Sequence, residues 1–400
     1  MPHLPIPPFF SGNELGSFAE DTIARRLPEI AQRVISENSF DQSTNERLRA
    51  LISELPHGPI RQLIDEQAPD WLDWQNALQP FLGKTWLEAP FFASEMYFYR
   101  RILEATGYFQ PGLGYGVDPY QLQKKLGLEQ AGQAITQARS HSMPANNEFL
   151  RQMIYLSLWG NQVDLSLWPV QKESSSRAQG RKRETHLLVD ESPAALTQIE
   201  EVNGGRVELI LDNFGTEFIF DLLLVDALLA HDSRLSIRLN VKPHPCYVSD
   251  VIPADIPRAL HWLKTDAPAW ARQAGERLER AQQTSRMQVA THFYWASPSP
   301  AWEAPPDLWA DLSRSAYMIS KGDVNYRRWL GDARWSYLTS LQEIINPPTP
   351  LLLLRVSKSD VAAGLAPGQA DELFRRDPAW QLNGHWGMIQ FVKPKKKIDA

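Results

Sequence analysis

Apolar residues in the first part of the chain recur three and four positions apart, which is the spacing of helices with one buried face. The pattern is clear in residues 20–35, 45–55, 92–103 and 147–158. No segment between them has the alternating or continuous apolar pattern of a strand. The spacing therefore predicts an all-helical amino-terminal domain over residues 1–165.

The pattern changes after a polar, charged segment at residues 171–184, which we interpret as an exposed linker. Short runs typical of strands follow at residues 186–189, 206–211, 235–241, 316–320, 351–356 and 388–392. Helical patterns separate them at residues 192–201, 217–230 and 267–283. Strands that alternate with helices indicate a parallel sheet with helices on its faces. Residues 166–400 are therefore predicted to form a three-layer α/β/α, Rossmann-like domain with a mostly parallel sheet.

Composition is that of an ordinary soluble globular protein. Hydrophobic residues make up 43% and charged residues 22% of the 400 residues, a length sufficient for two domains. The net charge of -6 argues against nucleic acid as a partner. The single cysteine, Cys246, excludes an internal disulfide framework and cysteine-based zinc sites.

The sequence gives no sign of export or of a membrane anchor. Residues 1–8 lack the charged start and apolar stretch of a signal peptide. The longest apolar run, residues 218–230, is too short for a membrane span and contains Asp221 and Asp226. These features predict a cytoplasmic protein without a membrane partner.

An acidic residue and a carboxamide lie side by side where a predicted strand ends and a helix begins. Asp212 and Asn213 follow the run 206–211, and Asp250 follows the next strand, about one β-α-β unit later. Parallel strands bring such residues to one edge of the sheet, where open α/β folds bind ligands. Their oxygen atoms are ligands that magnesium or manganese prefers. A helix cap at Asn213 and a turn at Asp212 are the structural alternatives.

Two further strand ends carry residues suited to an anionic ligand. The first is the loop at residues 321–325, in which Gly322 permits a close backbone approach, while Lys321 and Asn325 can reach anionic oxygens. The second follows the fully apolar run 351–354 and presents two cations, Arg355 and Lys358. An ordinary turn and solvated surface charges are the alternatives for these two segments.

Together these motifs resemble those of a known family. The similar segments are residues 212–217, 248–250, 321–327 and 355–358, with 95–101 and 158–166 in the helical part. The chain resembles the damage-control phosphatases, formerly a domain family of unknown function. It is most similar to their branch with an Arg-Thr-x-Lys motif, which includes proteins named acidic-residue or protein-glutamate methyltransferases. The likeness extends over nearly the whole chain.

The resemblance implies a divalent-metal-dependent phosphatase for small phosphate monoesters, with sugar phosphates as the suggested substrates. It implies an ion such as Mn²⁺, Ni²⁺, Co²⁺ or Mg²⁺, held by Asp212, Asn213 and Asp250 near the bound substrate. It also implies substrate contacts from Lys321, Gly322, Asp323, Val324, Asn325 and Lys358.

Two residues depart from the family pattern. Val356 stands where the motif has threonine, which removes one hydroxyl near the phosphate end of the site. Phe214 stands where a small residue is common after the Asp-Asn pair. Neither residue is a predicted ligand, so we expect the metal site to be retained. We expect the two departures to affect which substrates the protein accepts.

Hydrolysis of a phosphate ester needs charge neutralisation and an oriented water molecule. Asp323 and Lys358 are the predicted catalytic residues. Asp323 is the candidate that orients or deprotonates the water, while Lys358, with Lys321, binds phosphoryl oxygens. A covalent aspartyl-phosphate on Asp212 is the less favoured alternative. In the helical part, four residues either roof the pocket or form interdomain salt bridges and caps: Glu95, Arg100, Asn161 and Asp164.

Two other classes of protein stay open. A carboxyl methyltransferase that uses S-adenosylmethionine is suggested by the names of some relatives. Its expected glycine-rich turn after the first strand is replaced here by Asp-Glu-Ser-Pro at residues 190–193. A non-enzymatic helical adaptor is suggested by the tryptophan-rich first part. Metal-dependent turnover of a generic phosphate ester would separate the phosphatase from both.

Overall fold

The first part of the chain is helical, as the apolar spacing predicts. The computed structural model describes residues 2–138, 146–160 and 186–395. In the first two ranges the elements are α1 (Phe18–Asp21), a π-helical turn (Thr22–Arg26), α2 (Leu27–Glu37), α3 (Gln42–Glu54), α4 (Trp71–Leu78), α5 (Phe91–Thr106), α6 (Gln121–Gln137) and α7 (Asn147–Trp159). No strand of the sheet lies in these two ranges. The predicted linker at residues 171–184 lies outside the described residues.

Residues 186–395 contain a seven-stranded sheet with helices between its strands. The strands are β1 (Leu187–Asp190), β2 (Gly205–Ile210), β3 (Leu235–Val241), β4 (Met287–Thr291), β5 (Tyr317–Lys321), β6 (Leu351–Val356) and β7 (Gly387–Val392). The helices are α8 (Ser192–Glu201), α9 (Thr216–His231), α10 (Asp255–Thr265), α11 (Ala269–Gln283), α12 (Pro306–Leu312), α13 (Asp323–Leu330), α14 (Leu341–Ile344) and α15 (Gln369–Arg376). No helix in the described part of the chain is both long enough and apolar enough to cross a membrane.

The sheet has the strand order β1-β7-β6-β5-β2-β3-β4. Among these strands every neighbouring pair is parallel except β6 and β7. The predicted α/β fold with a mostly parallel sheet is confirmed. Strand β6 shows why its sequence is continuously apolar: Leu352 and Leu354 enter one core, while Leu351 and Leu353 enter another. A strand that is buried on both faces has no side facing solvent, so polar residues do not alternate with apolar ones along it.

The sequence pattern does not reveal β4. Its sequence, Met-Gln-Val-Ala-Thr, has Met287 as its one buried residue. Among the described strands, β4 lies at the edge of the sheet and pairs with β3 alone. An edge strand is partly solvated, so its sequence does not require a run of apolar residues.

The hydrophobic cores divide the chain differently from the predicted boundary at residue 165. Helices α1 to α5 form one core, which includes the buried Trp74 and Trp86. Residues of α6 and α7, such as Ile135 and Ile154, belong instead to the core beneath the sheet. Helical spacing shows which face of a helix is buried but not which partner covers it. The buried tryptophans also show that these side chains serve packing rather than an adaptor surface.

Four strand ends meet at one edge of the sheet. The central order β6-β5-β2-β3 consists of strands that all run in the same direction. Strand β2 pairs with β3 on one side and with β5, far away in sequence, on the other. Such a switch point, beyond the carboxyl ends of the strands, is where open α/β sheets bind ligands. The candidate residues follow these four strands.

Candidate active site

The segment after β3 folds back onto the segment after β2. The backbone N–H of Phe214 donates a hydrogen bond to the carbonyl oxygen of Ser249 (2.6 Å). Asn213 and Asp250 form an antiparallel β-bridge between the two segments. This pairing places Asp250 beside Asp212 and Asn213, so the structure brings together the three predicted metal ligands.

The two carboxylates of this group are buried and incompletely satisfied. Asp212 is 4% exposed and Asp250 is 0% exposed. Oδ1 of each has no hydrogen-bond partner among the described residues, while Oδ2 of Asp250 lies 3.5 Å from Nζ of Lys242. Burial, then the charges of Asp250 and Glu217, raise the pKa of Asp212 well above its usual range. Burial likewise raises the pKa of Asp250 to about 6.

The amide of Asn213 completes the set of oxygen donors. Its Oδ1 accepts a hydrogen bond from Oγ of Ser249 (2.6 Å), and its Nδ2 donates to Asp212 (2.9 Å) and Glu217 (3.2 Å). Among the described residues, no three His, Cys, Asp or Glu side chains form a group that could hold a metal ion. The candidate set is therefore two carboxylates and an amide. Because both carboxylates carry a buried oxygen without a partner, the set fits a hard divalent cation.

Gly322, between β5 and α13, occupies a position that requires glycine. Its φ of +85° and ψ of 169° lie in a region that is essentially restricted to glycine. A Cβ atom at this position would lie 1.9 Å from Oδ2 of Asp212. The absence of a side chain thus lets the backbone after β5 pass directly against the Asp212 carboxylate.

Asp323, the first residue of α13, faces the site as an ionised carboxylate. Its Oδ1 accepts hydrogen bonds from Nε of Arg355 (2.7 Å) and from the backbone N–H of Lys358 (3.2 Å). Burial alone would raise the pKa of Asp323, but the positive charges of Arg355 and Arg327 outweigh burial and lower it. A carboxylate with a lowered pKa orients water well by accepting a hydrogen bond, while it is a weak base.

Lys358 is exposed and lines both cavities at this edge of the sheet. The larger cavity, of about 450 Å³, is shared with Asp212, Asn213, Asp250, Asp323 and Val324. A smaller cleft beside it is lined by Asp212, Glu217, Gly322, Asp323 and Lys358. The ammonium group therefore shares its cavities with the predicted metal ligands and with Asp323.

Arg355 lies behind the site, which differs from the predicted substrate contact. The side chain is fully buried, and its guanidinium donates to Asp323 and to the carbonyl oxygens of Val361 (2.5 Å) and Ser359 (3.0 Å). Its guanidinium carbon also lies 4.2 Å from the centre of the Tyr326 ring. Because these contacts engage its donors, Arg355 orients Asp323 rather than reaching a ligand.

Lys321 also lies behind the cavity, contrary to the expectation that it binds phosphate. Its ammonium is 3.3 Å from Asp221 and 3.5 Å from Glu217, and it donates to the carbonyl oxygen of Ser157. Side chains alternate along a strand, and at the end of β5 this one points into the layer of α7 and α9. The ion pairs hold Glu217 in the wall of the smaller cleft.

Asn325 binds backbone rather than presenting its amide N–H groups to an anionic ligand. Its Nδ2 donates to the carbonyl oxygens of Leu211 (2.9 Å) and Lys321 (2.8 Å). Leu211 follows β2 and Lys321 ends β5, so this amide ties together two of the strand ends that form the site. The neighbouring Val324 does line the larger cavity, as predicted.

The helical part closes the larger cavity through Glu95 on α5. Its Oε2 accepts hydrogen bonds from Nη1 of Arg327 (2.6 Å) and from the hydroxyl of Tyr247 (3.1 Å). All three side chains line the cavity. Glu95 thus lies in the roof, one of the two placements that the sequence leaves open, and it also joins the two parts of the chain.

Arg100, another predicted roof residue, is buried inside the helical part. It forms ion pairs with Asp65 and Asp70, each at 2.8 Å. Asp70 is also 3.5 Å from Nε2 of His244, so the network is one of the interdomain contacts that the sequence allows. The remaining two predicted roof residues, Asn161 and Asp164, lie outside the described residues.

The sequence does not single out three further residues of the site: Glu217, Tyr247 and Ser249. The signal for Glu217 is an acidic residue in the first turn of α9, five positions after Asp212. Tyr247 and the next residue, Val248, have φ of 45° and 63°, and a β-branched residue rarely adopts such values. Strained backbone of this kind persists only where its surroundings enforce it, and it concentrates at functional sites.

The fold and this site define a Rossmann-like α/β protein with a carboxylate-lined pocket at the switch point of its sheet. The sequence matches the family described as "Damage-control phosphatase ARMT1-like domain" over residues 22–373. This match includes both the helical part and most of the sheet. The chain therefore belongs to the ARMT1-like family of damage-control phosphatases.

Two similar proteins carry names from this family. "Damage-control phosphatase ARMT1" of Mus musculus is 29% identical, over 97% of this chain and 99% of that protein. The protein of the same name in Danio rerio is 28% identical, over 96% of each chain. A solved structure of a DUF89 family protein from Pyrococcus horikoshii shares 14% identity and a TM-score of 0.48, over 92% of this chain and 96% of that one. At the family level, the activity is that of a phosphatase for small phosphorylated metabolites.

Proposed function

We propose that this protein is a divalent-metal-dependent phosphatase for small phosphate monoesters, with sugar phosphates as its substrate class. The observation that carries the proposal is that Asp212, Asn213, Asp250 and Lys358 line one cavity at the carboxyl edge of the sheet. Membership of a phosphatase family supports the reaction type. Carboxylates and the Tyr247 hydroxyl in the same wall offer hydrogen bonds to sugar hydroxyls.

Asp212, Asn213 and Asp250 are the residues that would hold the metal ion. All three offer hard oxygen atoms, and each carboxylate has a buried oxygen that no described residue satisfies. When bound, a divalent ion supplies Lewis-acid polarisation of a phosphoryl oxygen, an effect worth several kcal/mol. Manganese, nickel, cobalt and magnesium all accept oxygen ligands, so the donor set does not select one of them.

Lys358 and Asp323 supply the remaining chemistry. The ammonium of Lys358 is a compact charge in the cavity and binds the phosphoryl oxygens. Asp323, held by Arg355, accepts a hydrogen bond from the attacking water and orients it toward phosphorus. Phosphoryl transfer depends mainly on positioning and charge stabilisation, which is what these two side chains provide.

Removal of metal tests the proposal. A chelator should abolish hydrolysis of p-nitrophenyl phosphate, and added manganese, cobalt, nickel or magnesium should restore it. Full activity in a sample shown by elemental analysis to be metal-free would contradict the mechanism. Transfer of methyl groups from S-adenosylmethionine to protein carboxylates, without ester hydrolysis, would support the methyltransferase instead.

Lys358→Ala separates phosphate binding from metal binding. We expect kcat/KM to fall about 100-fold, the typical effect of losing one preorganised charge contact of about 3 kcal/mol. Manganese affinity, measured by calorimetric titration, should stay close to that of the parent. Lys358→Arg should recover little activity, because a planar guanidinium needs a different geometry from a compact ammonium.

A matched control for this variant is Lys264→Ala. Lys264 on α10 pairs with Glu279 on α11, so its removal changes the net charge equally but leaves the cavity intact. Inorganic phosphate should inhibit the parent and Lys264→Ala alike, and Lys358→Ala much less. Equal inhibition of all three proteins would mean that Lys358 is a solvated surface charge.

A further inference from the structure

The helical part adds two arginines to the wall of the larger cavity, and the proposed chemistry uses neither. Arg26 ends the π-helical turn and Arg33 lies in α2. Both line the cavity, together with Glu29 on the same helical face. Residues seven positions apart lie two turns from each other, so the arginines project from one face about 10 Å apart along the helix.

Both guanidinium groups are free to bind an anion. Neither has a carboxylate within 4 Å among the residues that the structure describes. Arg26 makes a long hydrogen bond to Oγ1 of Thr22 (3.4 Å) and lies over the ring of Phe18. Both residues are exposed.

The acidic residue on the same helical face is already paired. Glu29 accepts hydrogen bonds from Arg25 (3.2 Å), which does not line the cavity. In contrast, the deeper arginine of the wall, Arg327, is held by Glu95 (2.6 Å) and by Asp332 (2.8 Å). Among the described residues, Arg26 and Arg33 therefore have no ion-pair partner, whereas Arg327 has two.

These arginines do not line the smaller cleft, whereas Lys358, the cation proposed to bind the reacting phosphate, does. Lys358, Asp212 and Asp323 line both the larger cavity and the smaller cleft, so they lie where the two join. Of these two cavities, Arg26 and Arg33 line only the larger one. A ligand whose phosphate lies at Lys358 therefore has a second, distinct basic region in the same cavity.

We propose that Arg26 and Arg33 bind a second anionic group of the substrate. The preferred substrates are then phosphate monoesters that carry a second phosphate or a carboxylate away from the reacting phosphate. This inference rests on the proposed function, because it identifies the substrate class of the same site. Each guanidinium offers paired N–H donors that match the geometry of a phosphate or carboxylate.

Matched pairs of substrates test this selectivity. One pair is glucose 1-phosphate and glucose 1,6-bisphosphate, and the other is glucose 6-phosphate and 6-phosphogluconate. In the parent protein, kcat/KM should be higher for the member with two anionic groups in at least one pair, which also distinguishes a second phosphate from a carboxylate. Arg26→Gln/Arg33→Gln should reduce that preference about 10-fold or more, since charged hydrogen bonds are strong.

Arg49→Gln is the control, since Arg49 is an exposed residue of α3 outside the cavity. A general electrostatic attraction would weaken similarly in Arg49→Gln and in Arg33→Gln, and it would affect both members of a pair. A preference that changes only in Arg26→Gln and Arg33→Gln supports the second anion site. No preference in the parent, or a preference that the double variant keeps, overturns it.

Equilibrium binding separates this inference from the proposed function. Calorimetric titration of glucose 1,6-bisphosphate needs no turnover, so it remains informative if no ester is hydrolysed. Weaker binding by Arg33→Gln than by Arg49→Gln supports the anion site even when the phosphatase proposal fails. Equal affinities of the two variants overturn the anion site while leaving any measured hydrolysis in place.

Discussion

Replacement of Asp212 by asparagine should lower kcat/KM for phosphate esters about 1,000-fold, the upper range for loss of one preorganised electrostatic group. The substitution keeps the shape of the side chain and removes its charge, so it deletes a cation ligand without creating a cavity. Manganese binding, measured by calorimetric titration, should become undetectable. Asp250→Asn should behave similarly toward metal, although it also deprives the buried Lys242 of its carboxylate neighbour.

The metal-free Asp212→Asn protein should be as stable as the parent or more stable, although its activity is far lower. Burial and neighbouring negative charges raise the folded-state pKa of Asp212 above its unfolded value. The unfolded chain therefore loses this proton first, and stability of the metal-free protein falls as pH rises through the interval between the two pKa values. A neutral asparagine removes that loss. At pH 8 and without metal, Asp212→Asn should melt at the same temperature as the parent or higher.

Added manganese should raise the melting temperature of the parent above that of Asp212→Asn, because only the parent is stabilised by binding the ion. Asp226→Asn is a suitable control: Asp226 lies on α9, pairs with Arg277 at 2.6 Å and is remote from the site. It changes the net charge equally and should keep both activity and the manganese effect. If Asp212→Asn binds manganese as the parent does, Asp212 is not a ligand.

The elements that the sequence predicts well are those whose burial requires a recognisable pattern of apolar residues. Strand β6 is buried on both faces, and its four consecutive leucines therefore predict a central strand. Strand β4 is half solvated at the edge, and its sequence carries no such trace. The spacing predicts α7 as a helix, but its docking beneath the sheet, which α6 shares, depends on partners distant in sequence.

The candidate site shows the same limit at the level of side chains. That Asp212 and Asp250 lie together follows from parallel strands, whose carboxyl ends share one edge. Which way each side chain points does not follow, because a shift of one residue exchanges the two faces of a strand. The sequence predicts that Lys321 and Arg355 face the ligand, yet both side chains are buried behind the cavity. There they contact acidic side chains and backbone carbonyl oxygens.

The contribution of the helical part was the least accessible to sequence reasoning. Arg26 and Arg33 lie on a helix whose polar face looks, in the sequence, like any solvated face. Only the docking of α2 over the carboxyl edge of the sheet makes that face a wall of the cavity. Glu95 could be placed near the pocket through a motif, while its bond to Arg327 joins residues far apart in the chain.

Replacement of Gly322 by alanine is the second substitution with a large expected effect. Alanine at φ +85° and ψ 169° strains the backbone by about 1–3 kcal/mol, which should lower the melting temperature. The new Cβ would also lie 1.9 Å from Oδ2 and 2.2 Å from Cγ of Asp212, so that carboxylate must move. Displacing a metal ligand should lower kcat/KM about 100-fold or more and weaken manganese binding in parallel.

Gly368→Ala distinguishes the steric effect from backbone strain alone. Gly368 has a φ of +77°, yet a Cβ atom there meets no atom within 4 Å. Its replacement should cost about 1 kcal/mol of stability through the left-handed backbone and leave hydrolysis and manganese affinity unchanged. Gly322→Ala should therefore lose far more activity than its loss of stability explains. Equal activity of the two variants, measured well below both melting temperatures, would show that catalysis does not depend on the position of the Asp212 carboxylate.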